Sequence, residues 1–171
     1  ISFNKQGKMY VSIGSSCNNC ESKDDDKTAS IWEYNADGTG GRLFAKGLRN
    51  AVGLTIHPIT DEVWVTENAR DLLGDDLPPD EINIVRAGND FGWPYCYGAK
   101  TVDIAYNNTS RCQNTQPSTY NLQAHSAPLG LTFINSSQFP SEWQGDILVA
   151  RHGSWNRTQP VGYDVVRLYV R

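Results

Sequence analysis

Between Asp71 and Glu81, five acids fall within eleven residues: Asp71, Asp75, Asp76, Asp80 and Glu81. Like charges at that density repel, so a loop carrying them persists only where solvent or a cation absorbs the charge. A solvated acidic loop is one reading, and an ordered, oxygen-rich cation site is the other. The acids run straight into the apolar stretch Ile82-Asn83-Ile84-Val85, and Pro78-Pro79 stiffens the approach. That context favours the ordered site, and hard carboxylate oxygens suit calcium better than zinc.

Three further clusters carry polar chemistry: Gly47-Leu48-Arg49-Asn50-Ala51, Glu67-Asn68-Ala69-Arg70-Asp71, and Ala150-Arg151-His152-Gly153-Ser154-Trp155-Asn156-Arg157. Brought to one rim they would gather Arg49, Arg70, Arg151, Arg157, Asn50, Asn68 and His152. Guanidinium groups bind carboxylates in bidentate fashion and stack on flat rings, so such a rim suits a planar polyanion. For any single arginine, local pairing with Asp71, Asp75 or Asp76 serves equally well. Of the three histidines, His57 precedes Pro58 in a turn and reads as structural. His125, in Ala124-His125-Ser126-Ala127-Pro128, leads into a strand as Arg49 does. His152 is the best placed for chemistry.

The elements that must position these groups are strands. Ser2–Gly14 reads as strand, turn, strand, with Asn4-Lys5-Gln6-Gly7 as the turn. Residues 15–28 form a polar loop whose Asp24-Asp25-Asp26 run reads as solvated. Ala29–Tyr34 and Arg42–Ala45 complete an up-and-down four-strand unit. The pattern restarts at Val52–Pro58, Glu62–Thr66 and Glu81–Arg86. A long polar insertion follows, roughly Tyr97–Ala124. The pattern restarts again at Leu129–Ile134, Asp146–Ala150 and Tyr163–Val170. Gly53-Leu54-Thr55-Ile56 and Gly130-Leu131-Thr132-Phe133 are near-copies. Three antiparallel repeats without helical periodicity read as about three blades of a β-propeller, hence an arc of a larger ring; a β-sandwich is the alternative. An arc leaves two open sheet faces, with Trp64, Leu131 and Val149 among the apolar side chains expected there.

At 171 residues the chain can build one core. A net charge of −4 with no basic run argues against nucleic acid, and no run of eighteen apolar residues is present to span a membrane as a helix. The chain opens on Ile1 without an initiator Met or a signal peptide, which reads as a processed chain or a piece of a longer one. The four cysteines pair most simply as Cys17–Cys20 and Cys96–Cys112. Their spacings match no zinc ribbon or finger, and no βαβ pattern surrounds Cys17-x-x-Cys20. Glycosylation acceptors stand at Asn107, Asn108, Asn135 and Asn156. With the paired cysteines they point to a secreted, extracellular eukaryotic glycoprotein.

The motifs GLRNAVGL, TEN-x-RD-x-LGDDLPPDEIN, NDFGWPYCYG, AHSAPLGL and HGSWNR-x-x-P-x-GY occur in that order along nearly the whole chain. Together they resemble the fungal pyranose dehydrogenases of auxiliary activity family 12, which are similar to sorbosone dehydrogenases and, more distantly, to soluble quinoprotein glucose dehydrogenases. The resemblance implies an all-β, six-bladed propeller that binds pyrroloquinoline quinone (PQQ) and calcium on its axis. Residues 1–171 would be a segment of that single domain, with its remainder lying on either side. Arg49 and Asn50 would contact the quinone oxygens, with Arg49 and His152 as the catalytic pair. Asn68 would contact the cofactor, and the carbonyls near Ala69 and Arg70 would hold a catalytic calcium. The Arg70 side chain is assigned to the same site, although it has no counterpart in the bacterial glucose enzymes. Glu81 and the carbonyl of Phe91 would bind a structural calcium. His125, His152, Trp155 and Arg157 would line the cofactor or sugar pocket, and the general base would lie upstream of Ile1. The implied reaction is oxidation of a sugar, with a cytochrome domain or protein as electron acceptor. A non-catalytic glycan- or protein-binding propeller and a calcium-dependent lactonase are the rival readings.

Overall fold

The computed structural model describes residues 1–21 and 27–170. The Asp24-Asp25-Asp26 run lies outside them. The first four strands, β1 (Ser2–Phe3), β2 (Lys8–Ile13), β3 (Ser30–Asn35) and β4 (Arg42–Lys46), pair antiparallel in sequence order. Asn4 closes the first turn by accepting from the backbone N–H groups of Gln6 and Lys8 at 3.1 and 2.8 Å. The second sheet contains β5 (Leu54–Ile56), β6 (Val63–Glu67) and β7 (Asp80–Val85). A two-residue strand, β8 (Asn89–Asp90), then turns back to pair parallel with β4.

The polar insertion carries secondary structure of its own. It holds the hairpin β9 (Cys96–Tyr97) and β10 (Thr101–Val102), one helical turn, α1 (Thr109–Cys112), and β11 (Tyr120–Leu122). Strand β11 returns to pair with β7, giving the second sheet the order β11-β7-β6-β5. The third sheet is β12 (Pro128–Phe133), β13 (Ile147–Arg151) and β14 (Asp164–Leu168). Both expected disulfides, Cys17–Cys20 and Cys96–Cys112, are formed.

Strand alternation sends the side chains of β6 to opposite faces. Val63 and Val65 join Tyr10, Ile31, Phe44 and Val85 in a core between the first and second sheets. Trp64 faces the other way, packing with Ile82, Phe133, Ile147 and Val149 between the second and third sheets. The Trp64 ring meets Phe133 edge-on at 5.4 Å between centroids. Trp64 and Val149 are therefore buried, which corrects the expectation that they lie on an open face. Full burial of such side chains contributes roughly 1.5–3 kcal/mol each, which is why they belong between sheets.

The two near-copies diverge in use. A Cβ on Gly53 would fall 2.8 Å from the Leu131 side chain and 3.1 Å from the Leu129 carbonyl, so Gly53 lets β5 approach β12. At Gly130 the same addition meets only Ala150, at 3.8 Å. The first strands β1, β5 and β12 touch in turn, so the segments leading into β5 and β12 come together.

Candidate functional site

Leu48 is buried beneath the segment before β5, and Arg49 projects from it toward the loop after β6. Its Nη1 donates to the carbonyls of Asn68 and Ala69 at 3.1 and 3.0 Å. Its Nη2 reaches the Asp71 carboxylate at 3.3 Å, and its Nε reaches the Asn18 carbonyl at 3.1 Å. Asn18 stands inside the small Cys17–Cys20 loop. Its side chain accepts from the Asp71 N–H at 2.7 Å and donates to the Asp71 carbonyl at 3.1 Å. The guanidinium is thus held on several sides, mostly by backbone oxygens.

Arg49, Asn50, Asn68, Ala69, His125 and Trp155 line one cavity of about 140 Å³ together with Asp71, Asp80, Ala127 and Asn156. His125 gives or shares a hydrogen at Nε2 with the Gly74 carbonyl at 2.8 Å, while Nδ1 faces the Asn156 amide nitrogen at 3.4 Å. A carbonyl only accepts, so Nε2 is the donor in the contact with Gly74. The Asn156 amide also donates to Asp71 at 3.0 Å. Arg49, Asp71, Asn156 and His125 therefore form one chain of contacts along the wall. Trp155 is 76% exposed and leaves its indole available beside them.

Other sequence candidates stand elsewhere. The Arg70 side chain pairs with buried Asp103 of the insertion at 2.9 Å. Arg151 forms a two-point pair with Asp164 across β13 and β14, at 2.7 and 2.6 Å. Arg157 is bound by the carbonyls of Asp75 and Ala124 and by the Asp76 carboxylate, so it fastens the acidic loop instead of facing the cavity. His152 is exposed beyond the end of β13 and is not in the cavity wall. His57 caps its own turn, accepting at Nδ1 from Ile59 and Thr60, and packs on Phe133 at 4.5 Å.

The five acids do not converge on one cation. Asp71 and Asp76 are held by arginines, the Asp75 carboxylate accepts from the Thr158 N–H, and Asp80 is enclosed by N–H and O–H donors. Glu81 faces another acid across the sheet. It lies directly opposite Glu67 in the β6–β7 register, and each is only 5% exposed. Glu81 accepts from the Gly98 N–H at 2.7 Å and the Asn83 amide at 2.9 Å; Glu67 accepts from the Asn50 N–H at 3.3 Å through both oxygens. Burial, and then the charge of Glu81, push the Glu67 carboxyl well above the usual carboxylate range. Burial also raises Glu81, against the pull of its two hydrogen bonds. Sequence reading placed Glu67 in a polar cluster without giving it a role, and its pairing with Glu81 is visible only once the register is known.

Both glutamates and Phe91 line a second cavity of about 20 Å³, room for about one ion or water. Arg70 borders it too, but its charge is committed to Asp103. Two buried carboxylates with no ion pair among the described residues offer hard oxygen donors, which fit a cation such as calcium. Among the described residues no three His, Cys, Asp or Glu side chains gather as a metal cluster, so carbonyl oxygens would have to complete the shell. On the cofactor side the Ala69 carbonyl is already taken by Arg49. The larger cavity offers one guanidinium, several side-chain amides and an exposed indole, which fit one wall of a site for a flat, carboxylated ring system such as PQQ.

The TrAA12-like family matches residues 1–171. The chain belongs to that family. An uncharacterised protein of Borreliella burgdorferi is 40% identical over 167 residues, which is 96% of this chain and 43% of that protein. The aldose sugar dehydrogenase YliI of Escherichia coli is 25% identical over 134 residues, 74% of this chain and 30% of its own. Among solved structures, the calcium structure of a Trichoderma reesei family AA12 protein superposes with a TM-score of 0.81 at 23% identity, covering 97% of this chain and 51% of that one. The holo PQQ domain of a pyranose dehydrogenase from Coprinopsis cinerea gives 0.79 at 21% identity, with 96% and 50% covered. At those identities the likeness speaks for the fold. The chain spans about half the length of those two solved structures and less than half of the two sequence relatives.

Proposed function

We propose that the full-length protein is a PQQ- and calcium-dependent oxidoreductase acting on a pyranose or other aldose, and that this chain is about half of a six-bladed propeller. The observation that carries the reading is the single wall formed by Arg49, Asn50, Asn68, His125 and Trp155 in a chain of the TrAA12-like family. When bound, the quinone would accept hydride from the sugar carbon while calcium withdraws electrons from the quinone carbonyl.

The protein's own part is binding, orientation and charge. Arg49 offers a guanidinium already pinned by the Asn68 and Ala69 carbonyls, so little reorganisation is needed for it to stabilise an oxyanion. Asn50 and Asn68 supply amide dipoles, and Trp155 supplies a flat apolar face. His125 is engaged at both ring nitrogens, by the Gly74 carbonyl and the Asn156 amide, so its part is to orient the wall. The acceptor of the substrate proton is assigned to the part of the relatives this chain does not span. Glu67 and Glu81, with the Phe91 carbonyl, would hold a structural calcium.

Two disulfides support a secreted, extracellular protein; a fungal source and electron transfer to a cytochrome domain or protein complete the proposal. Glycans would sit at exposed Asn107 or Asn135; Asn156 is engaged with Asp71. The test is dye reduction by the full-length protein. Sugar-dependent turnover that requires added PQQ supports the reading. Lactone hydrolysis without PQQ, or sugar binding without turnover, would overturn it.

A further inference from the structure

Asp80 is only 2% exposed and borders the cavity lined by Arg49 and His125, yet among the described residues it forms no salt bridge with an arginine or lysine. One oxygen accepts from the Ala69 N–H at 3.0 Å. The other accepts from the Ala127 N–H at 2.8 Å and the Ser126 hydroxyl at 3.3 Å. Those donors belong to two segments far apart in the sequence. One follows β6, and the other leads into β12.

Each N–H bond fixes a peptide plane. A trans peptide is flat, with N–H and C=O pointing opposite ways, so anchoring the N–H aims the carbonyl. In the Asn68–Ala69 peptide the Asn68 carbonyl is aimed at Arg49 Nη1, 3.1 Å away. In the Ser126–Ala127 peptide the Ser126 carbonyl accepts from the Gly153 N–H at 3.0 Å. His125 and Ala127, on either side of Ser126, have φ of 62° and 52°. Left-handed backbone is costly for residues other than glycine and persists where surrounding contacts determine it.

We propose that Asp80 is a positioning residue for the cofactor site: its single carboxylate ties the peptide that seats Arg49 to the turn that presents His125. The inference rests on the cofactor reading above. It requires an acceptor at both oxygens. An asparagine keeps one acceptor, but its NH₂ group would face a donor at the other position.

The test uses the full-length protein with calcium present and measures PQQ affinity by quenching of tryptophan fluorescence, with melting temperature followed in parallel. Asp80→Asn and Asp80→Ala are expected to weaken PQQ binding about tenfold or more at temperatures well below their melting transitions. Ser126→Ala keeps the carboxylate and removes one donor, so it carries the test if both Asp80 variants fail to fold, and about a fivefold loss is expected. A role confined to stability would lower the melting temperature and leave the affinity of the folded protein unchanged. Affinity within twofold of wild type in the folded variants overturns the role of Asp80 alone. Absence of PQQ binding by the wild-type protein overturns the cofactor reading, and this proposal with it.

Discussion

Asp71 and Asp76 are held by guanidinium groups, while Glu67 and Glu81, only a few residues away in the chain, are held by amides. The first pair lies in a loop fastened from outside by Arg49 and Arg157. The second lies inside the second sheet, where two adjacent strands bring the carboxylates face to face. The contrast teaches that a count of acids does not locate a cation. Acids that reach an arginine are already neutralised, whereas two buried carboxylates with only neutral donors are pushed toward taking up a proton unless a hard ion binds them.

The largest expected effect breaks the arginine side of that contrast. Arg49→Ala in the full-length enzyme should lower turnover by roughly a hundred- to a thousandfold, the cost of removing one oxyanion donor, with the fold kept by its other contacts. Near-normal turnover in dye reduction would reduce Arg49 to a clip for Asp71.

The next effect breaks the carboxylate side. Calcium at about a hundred times its Kd should stabilise by about 2.7 kcal/mol, seen as a higher melting temperature with calcium than with chelator. Glu81→Gln should lose most of that difference. The sign with pH follows from the raised folded-state carboxyls of Glu67 and Glu81. With chelator present, their contribution is complete below the usual carboxylate range and is lost as pH rises through the raised values. Calcium should flatten that decline. A chelator without effect on the melting temperature at any pH would make the pair a shared-proton site instead.

Asn18→Ala tests whether the Cys17–Cys20 loop belongs to the site. It removes both side-chain bonds to the Asp71 backbone, and at about 1 kcal/mol per bond PQQ affinity should fall by up to about thirtyfold. Unchanged affinity would detach this loop from the cavity. The smallest effect is expected from Arg151→Ala. Its partner Asp164 is half-exposed, and exposed pairs contribute about 0–1 kcal/mol, so a slightly lower melting temperature with unaltered PQQ affinity is the expected outcome.

Much of the strand pattern was legible because it rests on alternation within single segments. Lys8–Ile13 is β2 as read, and Glu62–Thr66 is β6 to within one residue at each end. Strand β11 was not legible: Tyr120-Asn121-Leu122 is three residues in a polar stretch, and only its pairing with β7 makes it a strand. Trp64 and Val149 were given to an open face because alternation states that a side chain faces one way, not which neighbour waits there. At the site, Arg49 and His125 could be found as polar residues ahead of apolar strands. Asp80 and Asn156 could not, since one looked like another loop acid and the other like a glycan acceptor. Their partners come from segments tens of residues away, and nothing local encodes those meetings.

The most direct test is a spectral titration of the full-length protein with PQQ in the presence of calcium. A saturable PQQ-dependent absorption band, bleached by an aldose and bound far more weakly by the Arg49→Ala variant, is the predicted result. No saturable band in the wild-type protein, or a band of equal affinity in the variant, would contradict the assignment of this wall to the cofactor.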